Sequence, residues 1–191
     1  RRRLEERGLT QKVKNIIINW SALALFGLFR RVWQYLTEKA EDESILNITF
    51  ICTGNTCRSP MAQALFTQMA QDSGITFTAS SAGLAAMPGQ PAAEYAVKAC
   101  KALGADLSAH RSKSLLQEDL ASTDLFVVMT MQHAQALMKL GVAKNKIYIL
   151  HVPDPFGGNL ETYTQCCKEI RRQLATLLEL IKKQEQKRTD E

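Results

Sequence analysis

Short apolar runs alternate with longer segments of helical spacing along residues 45–184, and this alternation restricts the fold more than any other feature of the chain. ILNITFIC at 45–52, ITFTASSAG at 75–83, DLFVVMT at 124–130 and KIYILHV at 146–152 are rich in β-branched and aromatic residues and read as strands. Between them, residues 60–73 carry Met61, Leu65, Phe66 and Met69 at helical spacing, with Pro60 suited to a first turn. Residues 91–104 and 131–141 read as helices closed by Gly104 and Gly141. Residues 110–123 read as a loop with one short helix, and 160–183 as a long closing helix, with 185–191 expected to fray. Strands joined through helices of this length run parallel, with crossovers packed on both faces. The expected fold is therefore α/β: a doubly wound three-layer sandwich with a four-stranded parallel sheet, plus an N-terminal helical extension. Such sheets bind ligands beyond the carboxyl ends of their strands. Cys52 ends the first strand and Asp154 follows the fourth, so both are expected at one edge.

The length of 191 residues suits one such domain and a short appendage, and 46% apolar content supplies its core. The net charge of +5 is concentrated early: residues 1–44 hold 9 Lys/Arg against 6 Asp/Glu. No basic block carries interleaved aromatics, so a nucleic-acid partner is not expected. The five cysteines are odd in number and irregularly spaced, which argues against a disulfide scaffold and for a reducing, cytoplasmic setting. Cys52-x4-Cys57 has no second ligand pair, and His110, His133 and His151 are scattered, so no metal or other cofactor is expected.

Residues 1–44 read as a separate, partly apolar helical extension and polar linker, ahead of a domain at 45–184. Residues 15–29 carry no charge, yet at helical rise they reach only about 22 Å, short of a bilayer core. FGLFRRVW offers no small-residue cleavage site for a secretory leader. The apolar positions surround the helix, so it must be covered. Residues 13–36 are expected to pack on protein, including a second copy, in preference to a membrane interface with Trp20, Trp33, Arg30 and Arg31 at head-group level. In the latter case the protein would be peripheral to the membrane. The first residue is Arg1 rather than Met, so the natural chain can begin upstream.

The chemistry concentrates at Cys52-Thr53-Gly54-Asn55-Thr56-Cys57-Arg58-Ser59, between a strand and a helix. Backbone N–H groups of a tight loop at a helix N-terminus form an anion nest. Arg58 closes that cradle with a bidentate guanidinium contact to a phosphoryl group. The same positive field favours a Cys52 thiolate that attacks phosphorus. Gly54 permits close backbone approach, and Asn55 tolerates a left-handed conformation that locks the loop. A buried strand-end cysteine with a surface arginine is the plain alternative. Cys-x5-Arg-Ser-Pro with Gly and Asn inside it is too specific for that reading. Asp154 stands before Pro155 in a turn-rich loop, suited to donate a proton to the leaving group and later to take one from water. Cys57 is either a packing residue or a resolving thiol for oxidised Cys52. Cys166 and Cys167 read as packing or surface residues, and His133 and His151 as structural ones.

These motifs resemble the low-molecular-weight protein tyrosine phosphatase family over about residues 45–184: CTGNTCRSP at 52–60, SSAG at 80–83, HRSKSL at 110–115, DLFVVMT at 124–130 and DPFGG at 154–158. The resemblance implies Cys52 as nucleophile, Arg58 as phosphate clamp and Asp154 as general acid. It further implies that Asn55, Ser59, Ser81 and His110 form a network that shapes the loop. Phosphorylated proteins are the implied partners.

Two features bear on the substrate. Thr56 stands inside the loop where tyrosine-specific members usually carry an aliphatic residue, and Phe156 is followed by Gly157 where they often show a second aromatic. A slot that is more polar and less aromatic suits a guanidinium, and CTGNTCRSP with DPFGG is similar to the bacterial protein arginine phosphatases of this family. Phosphoarginine is the preferred expectation, with phosphotyrosine second. Arsenate reductase is disfavoured because 127–137 contains no cysteine. A non-catalytic phosphate-binding module is disfavoured because Cys52, Arg58 and Asp154 are all present.

Overall fold

The computed structural model describes residues 45–71 and 73–190. The helical extension at 1–44, and the self-association or membrane contact expected of 13–36, lie outside the described residues. Four strands, β1 (Leu46–Cys52), β2 (Phe77–Gly83), β3 (Leu125–Val128) and β4 (Ile147–Ile149), form one parallel sheet in the order β2-β1-β3-β4. The crossovers supply α1 (Arg58–Ala70), α2 (Glu94–Ala102), α3 (Gln117–Ser122) and α4 (Met131–Lys139), and α5 (Leu160–Asp190) closes the chain. The protein is thus an α/β fold with a four-stranded parallel sheet flanked by helices.

Central β1 is hydrogen-bonded on both sides, with Cys52 opposite Gly83 and Ile51 opposite Val128. Its side chains alternate between two cores, as the pleat requires. Ile48, Phe50 and Cys52 join Leu65 and Phe66 of α1, Cys100 of α2 and Ile170 and Leu174 of α5. Ile51 joins Phe126, Val128, Ala134 and Leu137 in a separate cluster that Leu120 of α3 caps. Phe66 packs between Phe50, tilted against it at 5.6 Å between centroids, and Phe77, edge-to-face at 5.3 Å. Phe50 and Phe66, both fully buried, each contribute roughly 1.5–3 kcal/mol. One polar residue inside β1, Thr49, is satisfied by Ser80 Oγ at 3.0 Å and Thr123 Oγ1 at 2.7 Å.

Element ends depart from the sequence reading in two informative ways. β4 is only three residues long, because His151 takes φ +50° and breaks the extended chain, although Leu150 and Val152 still bond to Val128 and Met129. The closing helix runs to Asp190 instead of ending near Lys183. The segment 184–190 contains no Gly or Pro and consists mainly of good helix formers, so nothing local stops propagation. Gly104 and Gly141 sit at positive φ, +85° and +93°, just beyond α2 and α4, as helix-closing glycines should.

Candidate active site

β1 delivers Cys52 to the carboxyl edge of the sheet, and the chain turns through 53–57 into α1. Asn55, at the centre of that turn, has φ +53°, which an asparagine tolerates and most residues do not. Asn55 is fully buried, and all its polar groups are used. Its Nδ2 donates to Ser59 Oγ at 2.9 Å and to Ser81 Oγ at 3.0 Å. Its Oδ1 accepts the Lys113 backbone N–H at 2.9 Å, which fixes the amide orientation. Its carbonyl lies 2.7 Å from His110 Nε2, so that ring nitrogen carries the proton. Its own N–H donates to Cys52 Sγ at 3.3 Å.

This arrangement places polar groups around the sulfur. Ser59 Oγ receives an Asn55 N–H and has one hydrogen of its own. Cys52 Sγ lies 3.0 Å away, a contact in which either the hydroxyl or the thiol can donate. Cys52 is buried, and its sulfur lies within hydrogen-bonding distance of one backbone N–H and one hydroxyl. Cys57, at the N-cap of α1, makes no side-chain cap, so the first-turn N–H groups remain available to an anion. Gly83 has a steric task. A Cβ there would stand 2.6 Å from Thr53 O and 3.0 Å from Asn55 N, so only glycine lets the end of β2 press against the loop.

Arg58 is 4% exposed, and its guanidinium donates to Val152 O at 3.3 Å and to the Asp154 carboxylate. Its Nε has no acceptor among the described residues. A buried cation with an unpaired N–H needs an acceptor, and a phosphoryl oxygen in the loop would supply one. Asp154 is half-exposed, and its second oxygen accepts the Phe156 N–H at 3.2 Å, so it stands at the boundary between the loop and solvent. The cavity enclosed here has a volume of about 250 Å³ and is lined by Cys52, Thr53, Gly54, Thr56, Cys57, Arg58, Asp154 and Phe156. Phe156 is 80% exposed at its mouth.

The structure thus gathers Cys52, Asn55, Arg58, Ser59, Ser81, His110 and Asp154 in one place, with Thr56 and Phe156 on the wall. Cys57 Sγ lies 3.3 Å from Tyr163 Oη. Burial pushes the Cys57 thiol up from its ordinary value, more than the Tyr163 and Thr56 contacts pull it down. Cys166 and Cys167 are buried on α5, consistent with packing. Sequence reasoning missed four participants. Lys113 acts through its backbone, Gly83 through the absence of a side chain, and Tyr163 through a hydroxyl far along the chain; none leaves a local signal. His133, read as structural, reaches the loop: its Nε2 lies 3.0 Å from Thr53 Oγ1. Among the described residues, no group of three or more His, Cys, Asp or Glu could hold a metal ion, and no helix is long and apolar enough to cross a membrane.

The sequence profile of the family described as low molecular weight phosphotyrosine protein phosphatase matches residues 47–187. The chain is 38% identical over 148 residues to the protein-arginine-phosphatase of Bacillus subtilis (strain 168), covering 72% of this chain and 98% of that one. It is 33% identical over 139 residues to the low molecular weight protein-tyrosine-phosphatase PtpB of Staphylococcus haemolyticus, covering 65% and 92%. Among solved structures, the YwlE arginine phosphatase, as a cysteine-to-serine mutant with a phosphorylated active-site serine, superposes with a TM-score of 0.68 at 37% identity, covering 72% of this chain and 97% of that one. The match runs through the Cys52–Ser59 loop and the Asp154 loop alike, and the chain belongs to the low molecular weight phosphotyrosine protein phosphatase family of protein phosphatases.

Proposed function

We propose that this phosphatase hydrolyses phosphoarginine on proteins through a phosphocysteine intermediate. Cys52 Sγ attacks phosphorus. The S–P bond forms as the P–N bond breaks, and Asp154 protonates the departing guanidine nitrogen. Arg58, through its unpaired Nε and a terminal nitrogen, and the loop N–H groups hold the equatorial oxygens as charge develops there. Water then attacks the phosphocysteine while Asp154 takes its proton. The S–P bond breaks, and the thiolate returns to the Ser59 hydroxyl and Asn55 N–H. Ser59, Ser81 and His110 act through Asn55, holding the loop in the shape this requires.

The observation that carries the substrate choice is Thr56 in the cavity wall, opposite a mouth with one exposed aromatic, Phe156. A hydroxyl beside the leaving group suits a polar cation, and an arginine phosphatase is among the relatives. Phosphotyrosine is the second reading, since Phe156 offers a phenol ring a stacking surface and PtpB is a related tyrosine phosphatase. The deciding experiment measures kcat/KM on matched phosphoarginine and phosphotyrosine peptides. A higher value on phosphoarginine is expected, and a preference for phosphotyrosine reverses the assignment. Cys52→Ser in the same assay should abolish turnover yet still bind vanadate, because Arg58 and the loop remain. Residual turnover at more than a few per cent would exclude the covalent route.

A further inference from the structure

One polar contact in the cavity wall has no part in the steps above. Thr53 Oγ1 lies 3.0 Å from His133 Nε2, and His133 Nδ1 lies 3.0 Å from Thr130 Oγ1. The ring is buried, yet Thr53 lines the cavity together with Thr56 and Asp154. The imidazole therefore ties the N-terminus of α4 to the loop after β1 through both nitrogens. Burial, and secondarily the Arg58 cation of α1, lower its basicity, while Asp154 of the loop before α5 acts in the opposite sense. Near neutral pH the ring is uncharged and carries one N–H.

The consequence for Thr53 is the same in either tautomer. If Nδ1 carries the proton, Nε2 accepts the Thr53 O–H and both Thr53 lone pairs stay free. If Nε2 carries it, Thr53 Oγ1 accepts that bond and keeps one lone pair. In both cases Oγ1, held by the ring, keeps at least one lone pair free, on a residue that lines the cavity. The leaving guanidine of phosphoarginine carries N–H donors beside the reacting nitrogen. An aryl phosphate carries none at that position.

We propose that Thr53 is a second specificity-determining residue, whose Oγ1 accepts an N–H of the substrate guanidinium, and that His133 is the positioning residue that orients it. This rests on the phosphoarginine reading above.

The test measures kcat/KM of the full chain on a phosphoarginine peptide and on p-nitrophenyl phosphate. The variants are Thr53→Val, Thr53→Ser, His133→Phe and the double Thr53→Val/His133→Phe. Thr53→Val should lose roughly tenfold or more on phosphoarginine and several-fold less than that on the aryl phosphate. Thr53→Ser should restore most of the loss. His133→Phe should reproduce the selective loss, and the double variant should lose no more than Thr53→Val alone, because the two side chains act as one unit. Equal losses on both substrates would mean that the pair only supports the loop, and the proposal fails. It fails equally if Thr53→Val behaves as the parent. Should His133→Phe not fold, the two Thr53 variants decide. A parent enzyme inert toward phosphoarginine but active on the aryl phosphate would overturn the substrate assignment itself, a distinct result.

Discussion

At the scale of single residues, the loop depends on side chains that each satisfy several constraints. Asn55 supplies a positive φ, both donors of its amide and an oriented acceptor, and no other residue type combines these. Thr56 is the residue on which substrate preference turns. Thr56→Ile removes a polar contact to a charged leaving group, worth on the order of 1.5–3 kcal/mol, roughly ten- to a hundredfold in rate. It also adds apolar surface that favours a phenol ring. The phosphoarginine rate should fall and the phosphotyrosine rate rise, as paired peptide assays would read out. A parallel fall in both would reduce Thr56 to a shaping role. Cys57 carries a separate prediction. Peroxide converts the Cys52 thiolate to a sulfenic acid, and attack by Cys57 would release water and leave a disulfide that a thiol reductant reopens. The Cys57→Ser variant should therefore lose activity irreversibly under peroxide, where the parent recovers with dithiothreitol. Equal recovery of both would remove the resolving role.

At the scale of elements, α4 binds the catalytic loop through His133, and this has a cost at acid pH. His133 is held uncharged in the fold by burial first and by Arg58 second, so its folded pKa lies below the ordinary value of about 6.5. Below that value the unfolded chain takes up a proton that the folded one does not. The folded state thus loses stability as pH falls from about 6.5 toward the lowered folded pKa, and regains it as pH rises. His133→Gln lacks this proton. Thermal melts across pH 7.5 to 5.5 should show the parent losing Tm relative to the Gln variant as the solution is acidified. Parallel curves would show that His133 titrates alike in both states. The N-terminus of α1 illustrates the complementary point. Its first-turn N–H groups are uncapped by Cys57, so the element is built to receive an anion where an ordinary helix would receive a serine or aspartate side chain.

At the scale of the whole molecule, both cores described here are made from residues of the 45–190 segment, and the family match begins at residue 47. A chain beginning at Ile45 should therefore fold cooperatively and retain kcat/KM within about twofold of the full chain, by circular dichroism melts and aryl phosphate turnover. Failure to fold would place part of residues 1–44 in the domain core. The alternation of strands and helices was legible because periods of 2 and 3.6 are local properties, readable in windows of ten residues. The length of β4 was not, because it depends on pairing with β3 and on the positive φ of His151; the extent of α5 was open to reading, since 184–190 holds no stop.

The candidate site divides along the same line. Cys52, Gly54, Asn55 and Arg58 could be read directly, because a strand, a turn and a helix N-terminus in immediate succession specify an anion cradle without help from the rest of the chain. Ser81 and His110 had no spacing argument and entered only through likeness to a family. Their roles, like those of Lys113 and His133, depend on the order β2-β1-β3. That order brings the ends of three distant segments beside one loop, at separations of 26 to 80 residues along the chain. The pairing of Arg58 with Asp154, 96 residues apart, is of the same kind. Loop hydrogen bonds carry no periodicity, so only the assembled sheet, by fixing which strand ends are neighbours, decides which side chains surround the sulfur.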